Sequence, residues 1–213
     1  MEPYLKDPAA IYARSFAIVR EQAALAGVSS DLEPVAVRLI HACGMPDILD
    51  DLEVSPDFVD RAMAAITAGK PLLCDCEMVA SGITRRFLPE AARVIVTLND
   101  PQVPALAARL ATTRSAAAVE LWREQMDGAV VVVGNAPTTL FRCLEIIADG
   151  GLRPAAIIGC PVGFVGAAES KAALAQAQDG VPFLVVHGTR GGSAMASSVV
   201  NALAIAGGGG GAS

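Results

Sequence analysis

Histidine, aromatic rings and charge are all in short supply in this chain. Its 213 residues include two histidines, two tyrosines, one tryptophan and six phenylalanines. Charged residues make up 18 % against a usual share of about 25 %. With hydrophobic residues at 53 %, such a composition excludes a disordered chain or a charged coiled coil and predicts a packed core. No apolar run approaches the roughly 20 residues needed to cross a bilayer, so no membrane span is expected. Lysine and arginine number 16 against 22 acidic residues, a net charge of −6, and without a basic excess there is no face to neutralise a nucleic-acid backbone. Met1–Asp7 has neither a basic nor an apolar stretch of the kind that opens a secretory signal. The five cysteines are an odd number without framework spacing. They read as reduced, small apolar residues of a cytoplasmic protein.

The apolar share is carried instead by alanine, valine, leucine and isoleucine, which suits close helices on a buried sheet. Pro71–Asp75, Val94–Leu98, Ala129–Gly134, Ala155–Gly159 and Pro182–His187 are short and continuously apolar rather than alternating, as strands covered on both faces are. Helical patterns separate most of them. One opens at Ser55-Pro56, with Val59, Met63 and Ile66 inward and Gly69 behind. Another opens at Asn135-Ala136-Pro137, with a Leu140, Leu144, Ile147 stripe ahead of Gly150-Gly151. These alternations predict a single α/β domain over residues 1–206, a doubly wound, mostly parallel sheet of about five strands with helices on both faces. Residues 207–213, glycine-rich, are expected as a flexible tail.

Two further helices precede the sheet. Asp7 caps a helix that begins at Pro8 and is expected to run to Gly27, with an inward stripe of Tyr12, Phe16, Val19 and Ala23 flanked by Ile11 and Ile18. Ser15 falls within that stripe. The next helix runs from near Pro34 to Gly44 and carries Arg38 and His41 three apart, on one face, where both side chains can meet one ligand. His41, at the helix end, has the dipole in its favour as a cation. Arg38 opposes that charge unless an anionic ligand compensates.

Other constellations are weaker. His41-x-Cys43 and Cys74-x-Cys76 lack the matching second pair of a zinc site, so no metal is expected. Asp75 and Glu77 read as caps of the helix that follows the first strand of the sheet. Gly134–Thr139, Gly159–Val165 and Gly188–Ser193 are glycine-bearing strand-to-helix junctions, where backbone N–H groups attract anions. None matches a nucleotide-binding fingerprint, so a nucleotide-dependent transferase is a weak reading. Arg85 and Arg86, after Thr84, and Arg114, after Thr113, stand in loops or at helix starts. Their forked guanidinium groups suit a ligand with several carboxylates.

Several segments in their joint order carry a family likeness over about Asp7 to Leu203. They are Ile11-Tyr12-Ala13-Arg14-Ser15-Phe16, Arg38-Leu39-Ile40-His41-Ala42-Cys43-Gly44, and Cys74-Asp75 with Met78-Val79 and Gly82-Ile83. Gly134-Asn135-Ala136-Pro137-Thr138 and Gly163-Phe164-Val165 through Ala167-Ala168-Glu169-Ser170-Lys171 complete the set. The chain resembles the precorrin-8X methylmutases of corrin (vitamin B12) biosynthesis and their cobalt-precorrin-8 counterparts. Arg190 departs from the resemblance, standing where the family loop usually has lysine before Gly-Gly-Ser.

The resemblance implies an isomerase that moves a methyl group from C-11 to C-12 of the macrocycle precorrin-8X, giving hydrogenobyrinate with no cofactor consumed. It implies His41 as the proton donor or acceptor and Ser15 and Arg38 as substrate contacts. Arg14, Thr84, Arg85, Arg86 and Arg114 are further candidates for the substrate's carboxylates. It also implies a homodimer with the cleft near the subunit contact. The alternatives are the same shift on cobalt-precorrin-8 and a non-catalytic tetrapyrrole carrier.

Overall fold

The computed structural model of the protein describes residues 4–150 and 153–209. The strands are β1 Leu52–Val54, β2 Leu72–Cys74, β3 Val94–Val96, β4 Val130–Val133, β5 Ala156–Gly159 and β6 Phe183–Val186. They form one sheet in the order β1-β6-β5-β4-β2-β3, parallel throughout except that β1 pairs antiparallel with β6. All five expected strands are present, and β1 makes a sixth. Its three residues are half-buried or exposed at an edge, so they lack the continuous apolar run that marks the others.

The helices are α1 Pro8–Gln22, α2 Glu33–Cys43, α3 Phe58–Thr67, α4 Glu77–Gly82, α5 Val103–Arg109, α6 Arg114–Val119, α7 Pro137–Ala148, α8 Ala167–Gln176 and α9 Ser193–Ala206. The two sheet faces divide the strand residues cleanly by parity. Leu72, Cys74, Val130, Val132, Ile158 and Leu184 pack under α2, α3, α4 and α9. Leu73, Val131, Val133, Ile157 and Val185 pack under Trp122, α7 and Leu174 of α8. The α2–α9 contact is the largest between helices and anchors α2 on the first face. The short helices α5 and α6 make a smaller cluster of their own through Val103, Ala107, Ala117 and Ala118.

Two expectations at the N-terminus need correction. Asp7 does cap α1, its carboxylate accepting from Ala10 N at 2.9 Å, but the helix ends at Gln22 rather than Gly27 because Ala23 turns extended, at φ −89° and ψ 145°. A separate 3-10 turn, Leu25–Gly27, follows. Of the expected inward stripe only Val19 is buried, and Tyr12 is 54 % exposed. This helix lies against α2 rather than on the sheet, so Phe16, Val19 and Ala23 find a wall while Ile11 and Tyr12 face outward. The end of α2 is as expected: Gly44 takes the left-handed conformation, φ 71°, and returns its N–H to Ile40 O.

The strand order reverses beside β2, because β3 lies on one side of it and β4 on the other, and such a reversal opens a crevice at the carboxyl ends of the strands. Asp75 fills this one. Its carboxylate accepts from Gly134 N at 3.0 Å and from Asn135 N and Ala136 N, both at 2.8 Å. Asp75 therefore closes the start of α7. It does not cap α4, where Cys76 stands at the N-cap without a side-chain bond. Burial pushes the Asp75 carboxyl up, against the three N–H groups that favour its charge. Gly134 is required here, since a Cβ would lie 2.7 Å from Val79 Cγ2 and 2.8 Å from Ser193 Cα.

Cys74, Cys76, Cys143 and Cys160 are buried as expected, while Cys43 is half-buried, and all five are free thiols. At the C-terminus Gly207, Gly208 and Gly209 continue from α9 with N–H bonds to Leu203, Ile205 and Ala204 carbonyls. The rest of the expected tail, 210–213, and Gly151 lie outside the described residues.

Replacing Asp75 by alanine removes a buried charge acceptor from three backbone donors, and charged hydrogen bonds of this kind contribute about 1.5–3 kcal/mol each before relaxation. We expect Asp75→Ala to lower the urea midpoint by an amount equivalent to about 2–4 kcal/mol with the slope m unchanged.

Candidate functional site

Three of the residues picked from sequence meet where α1 crosses α2. Ser15 Oγ lies 2.8 Å from His41 Nδ1. The His41 ring meets Phe16 edge-on with centroids 5.3 Å apart, and Tyr12 stands 5.7 Å from His41 and 5.9 Å from Phe16, so the three rings form one cluster. Arg38 lays its guanidinium over the Phe16 ring, 5.2 Å from its centroid. The i, i+3 spacing on α2 and the i, i+3 and i, i+4 spacing on α1 generate this arrangement. An Arg20–Glu33 ion pair of 2.8 Å holds the two helices together nearby.

The chemistry follows from the two ring nitrogens of His41. A serine hydroxyl both donates and accepts, so Ser15 satisfies Nδ1 whether the ring is neutral or protonated, and Nε2 is left to face a ligand. The α2 C-terminus lies beneath and favours a cation at this position. Arg38 is half-buried, and burial pushes its guanidinium below its ordinary proton affinity. Among the described residues no carboxylate lies within ion-pair distance of it. A partly desolvated guanidinium without a protein counter-ion is a ready partner for a ligand carboxylate. Behind it, Phe16, Pro34, Val37, Ala202, Ile205 and Ala206 line an apolar groove of about 260 Å³ with Arg20 and Arg38 at its sides.

The other candidates stand elsewhere. Arg14 is exposed on α1. Thr84 donates its N–H to Asn201 Oδ1 of α9 at 2.8 Å, which positions the Arg85–Phe87 turn, where Arg85 and Arg86 are exposed and Arg86 covers Phe87. Arg114 opens α6 and donates to Leu98 O and Asn99 Oδ1 beyond β3, the far edge of the sheet from β1 and β6.

Sequence reading missed the residues that brace the end of α2. After Gly44 the chain forms a 3-10 turn, Pro46–Asp51, and Arg190 of the β6–α9 loop holds two of its three acids: Nη1 donates to Asp47 at 2.7 Å, and Nε and Nη2 both donate to Asp51. Nothing local in the sequence pairs residues some 140 positions apart. The Arg190 guanidinium holds the Asp47 carboxyl below the usual carboxylate range. Lys171 is fully buried in α8, and His187 meets Glu53 across β6 and β1 at 2.6 Å. Among the described residues no group of three or more His, Cys, Asp or Glu side chains is placed to hold a metal ion. No described helix is long and apolar enough to cross a membrane.

Comparison with known proteins decides the family. The family model described as CbiC, precorrin-8X methylmutase, matches residues 10–206. The chain belongs to the precorrin-8X methylmutase family. It is 57 % identical over 204 residues to a precorrin-8X methylmutase of Pseudomonas aeruginosa, covering 96 % of this chain and 98 % of that one. It is 32 % identical over 205 residues to a cobalt-precorrin-8 methylmutase of Priestia megaterium, covering 96 % and 90 %. Among solved structures, the precorrin-8X methylmutase of Thermus thermophilus superposes with a TM-score of 0.85 at 38 % identity, covering 93 % of this chain and 96 % of that one. The methylmutase fold expected from sequence, a single mixed α/β unit with a mostly parallel sheet, is thus present, and family membership makes the protein an isomerase of corrin biosynthesis.

Because Asp47 titrates lower folded than unfolded, its ion pair contributes fully above the unfolded carboxylate value of about 3.9, and the contribution is lost as pH falls through the lower folded value. The Tm difference between the wild type and Asp47→Asn, followed by scanning calorimetry, should hold steady from about pH 7 to about pH 5 and shrink as the pH falls below the unfolded carboxylate value of about 3.9.

Proposed function

We propose that this methylmutase acts on the metal-free macrocycle precorrin-8X, moving the methyl group from C-11 to C-12 to give hydrogenobyrinate, with His41 as the acid. The observation that carries the assignment is the 2.8 Å Ser15–His41 contact beside the uncompensated guanidinium of Arg38. The identity gap, 57 % to a precorrin-8X enzyme against 32 % to a cobalt-precorrin-8 enzyme, favours the metal-free substrate.

In this reading the migration is a formal [1,5]-sigmatropic shift. Proton donation from His41 Nε2 to the macrocycle near ring C withdraws electrons from the adjacent conjugated system and lowers the barrier, and the proton returns after the methyl has moved. Positioned proton transfer contributes typically about 10²–10⁴-fold. Ser15 takes up the Nδ1 hydrogen when the ring is charged and fixes the ring plane. Arg38 binds a peripheral carboxylate of the substrate, and that carboxylate in turn favours the imidazolium. The remaining gain comes from holding a rigid macrocycle in one orientation.

His41 and Tyr12 are exposed in the single chain, which leaves a flat macrocycle open on one side. A homodimer with the cleft at the subunit contact supplies the second wall. Arg14, Thr84, Arg85, Arg86 and Arg114 are then the reserve of carboxylate contacts around the periphery, some of them reaching the macrocycle bound against the other copy.

The deciding experiment incubates purified protein with precorrin-8X and, separately, with cobalt-precorrin-8, and follows the absorption change. His41→Ala should bind hydrogenobyrinate within about three-fold of wild type while turnover falls by about 10²–10⁴-fold. Near-normal turnover in that variant removes His41 from the mechanism, and binding without any turnover by the wild type leaves a tetrapyrrole carrier.

A further inference from the structure

The two loops at the carboxyl ends of β5 and β6 are bound to each other by main-chain contacts. Gly192 N donates to Cys160 O at 2.8 Å and Gly163 N to Thr189 O at 3.2 Å. Gly191 lies so close to the carbonyls of Cys160 and Pro161 that any Cβ there would collide with backbone. Beneath them Lys171 is fully buried, and among the described residues no carboxylate pairs with its ammonium. Its Nζ donates to Pro161 O at 3.1 Å and to Arg190 O at 2.7 Å, one carbonyl from each loop. Burial pushes this lysine down, with the Asp51 charge opposing. A lysine placed this way ties the main chain of Arg190 to α8 and to the loop after β5.

The Arg190 side chain then carries that rigidity outward to α2. Its three nitrogens reach Asp47 and Asp51, the two acids that bracket the Pro46–Asp51 turn. The turn is continuous with the last turn of α2: Gly44 N returns to Ile40 O at 2.7 Å, Ile48 N to Met45 O at 3.2 Å, and Ile48 is fully buried beneath. On the sheet side, His187 N donates to Asp51 O at 2.8 Å. Every step from Lys171 to the turn is a hydrogen bond or ion pair, and the helix end it holds bears His41.

We propose that Arg190, seated by Lys171, is a positioning residue for His41, fixing the end of α2 so that the imidazole keeps its register with Ser15. The inference rests on the reading of His41 as the acid. An arginine suits the task because its planar fork holds two carboxylates at once in fixed directions, whereas an ammonium is a point charge. Displacements of about 1 Å in a reacting group cost about 10²-fold in rate, so a brace of this kind acts on turnover rather than on binding.

The test uses Arg190→Gln, Asp51→Asn, the double variant and Arg190→Lys, with kcat and KM on precorrin-8X and Tm for each. The imidazole NMR signals are recorded with labelled histidine. The chain has two histidines, so His187→Gln assigns them. Arg190→Gln and Asp51→Asn should each lower kcat at least ten-fold with KM within two-fold and should shift the His41 signals. The double variant should be no worse than Arg190→Gln alone, since that change already removes the contacts to both Asp47 and Asp51, and Arg190→Lys should recover part of kcat. A rise in KM for Arg190→Gln but not Asp51→Asn makes Arg190 a substrate clamp and overturns the proposal. Unmoved His41 signals with unchanged kcat overturn it as well, and a fall in Tm alone reduces the contact to a stabilising one. Retained turnover in His41→Ala sinks the acid reading separately, whatever Arg190 does.

Discussion

A sheet buried on both faces has to satisfy its polar strand ends without water, and at the point where its order reverses this protein does so with one carboxylate. Asp75 leaves β2 and spans the opening to the first three N–H groups beyond β4. That contact fixes where α7 begins, lets Gly134 run against α4 and α9, and closes the crevice that many parallel sheets offer to phosphates. The anion such a junction attracts is built into the chain. The proposed site lies instead on the outer helices of the first face, with α2 held on α9 and α1 held on α2.

That displacement explains the character of the site. A nucleotide pocket is a slot in the sheet, but here a hydroxyl, an imidazole and a guanidinium stand on an aromatic platform of Tyr12 and Phe16 at an open surface. An open platform suits a broad, flat, carboxylate-bearing substrate better than a small one. Within the single chain its accuracy comes from behind, since among the described residues His41 and Tyr12 are exposed at the front. The buried Lys171 and the Arg190 fork lie behind, on the side of the sheet's rim. In the proposed reading rigidity runs from the rim loops to the helix end, and His41 sits at the far end of that line.

Much of this was legible in the residues themselves. Continuous valine-rich runs identified five of six strands, because burial on both faces leaves a signal that alternation does not imitate. Asp7-Pro8 and Gly44 marked helix ends through capping and left-handed geometry, both local effects. Arg38 and His41 could be grouped because helical periodicity places them on one face of α2, and the family resemblance joined Ser15 to them. The edge strand β1 carried no such signal, and Tyr12 was misread as buried because the pattern shows which face of α1 is apolar but not how much of that face finds a wall.

The sequence by itself determined the α/β class, the family, and the three side chains at the crossing of α1 and α2, since each depends on composition, order or spacing along the chain. Only the tertiary structure decided where charge is neutralised: Asp75 on the β4–α7 junction, Arg190 on Asp47 and Asp51, Lys171 on two loop carbonyls. These partners lie from 10 to more than 100 residues apart. Their pairing is set by which strand ends become neighbours in the finished sheet, and no property of either residue alone carries that information.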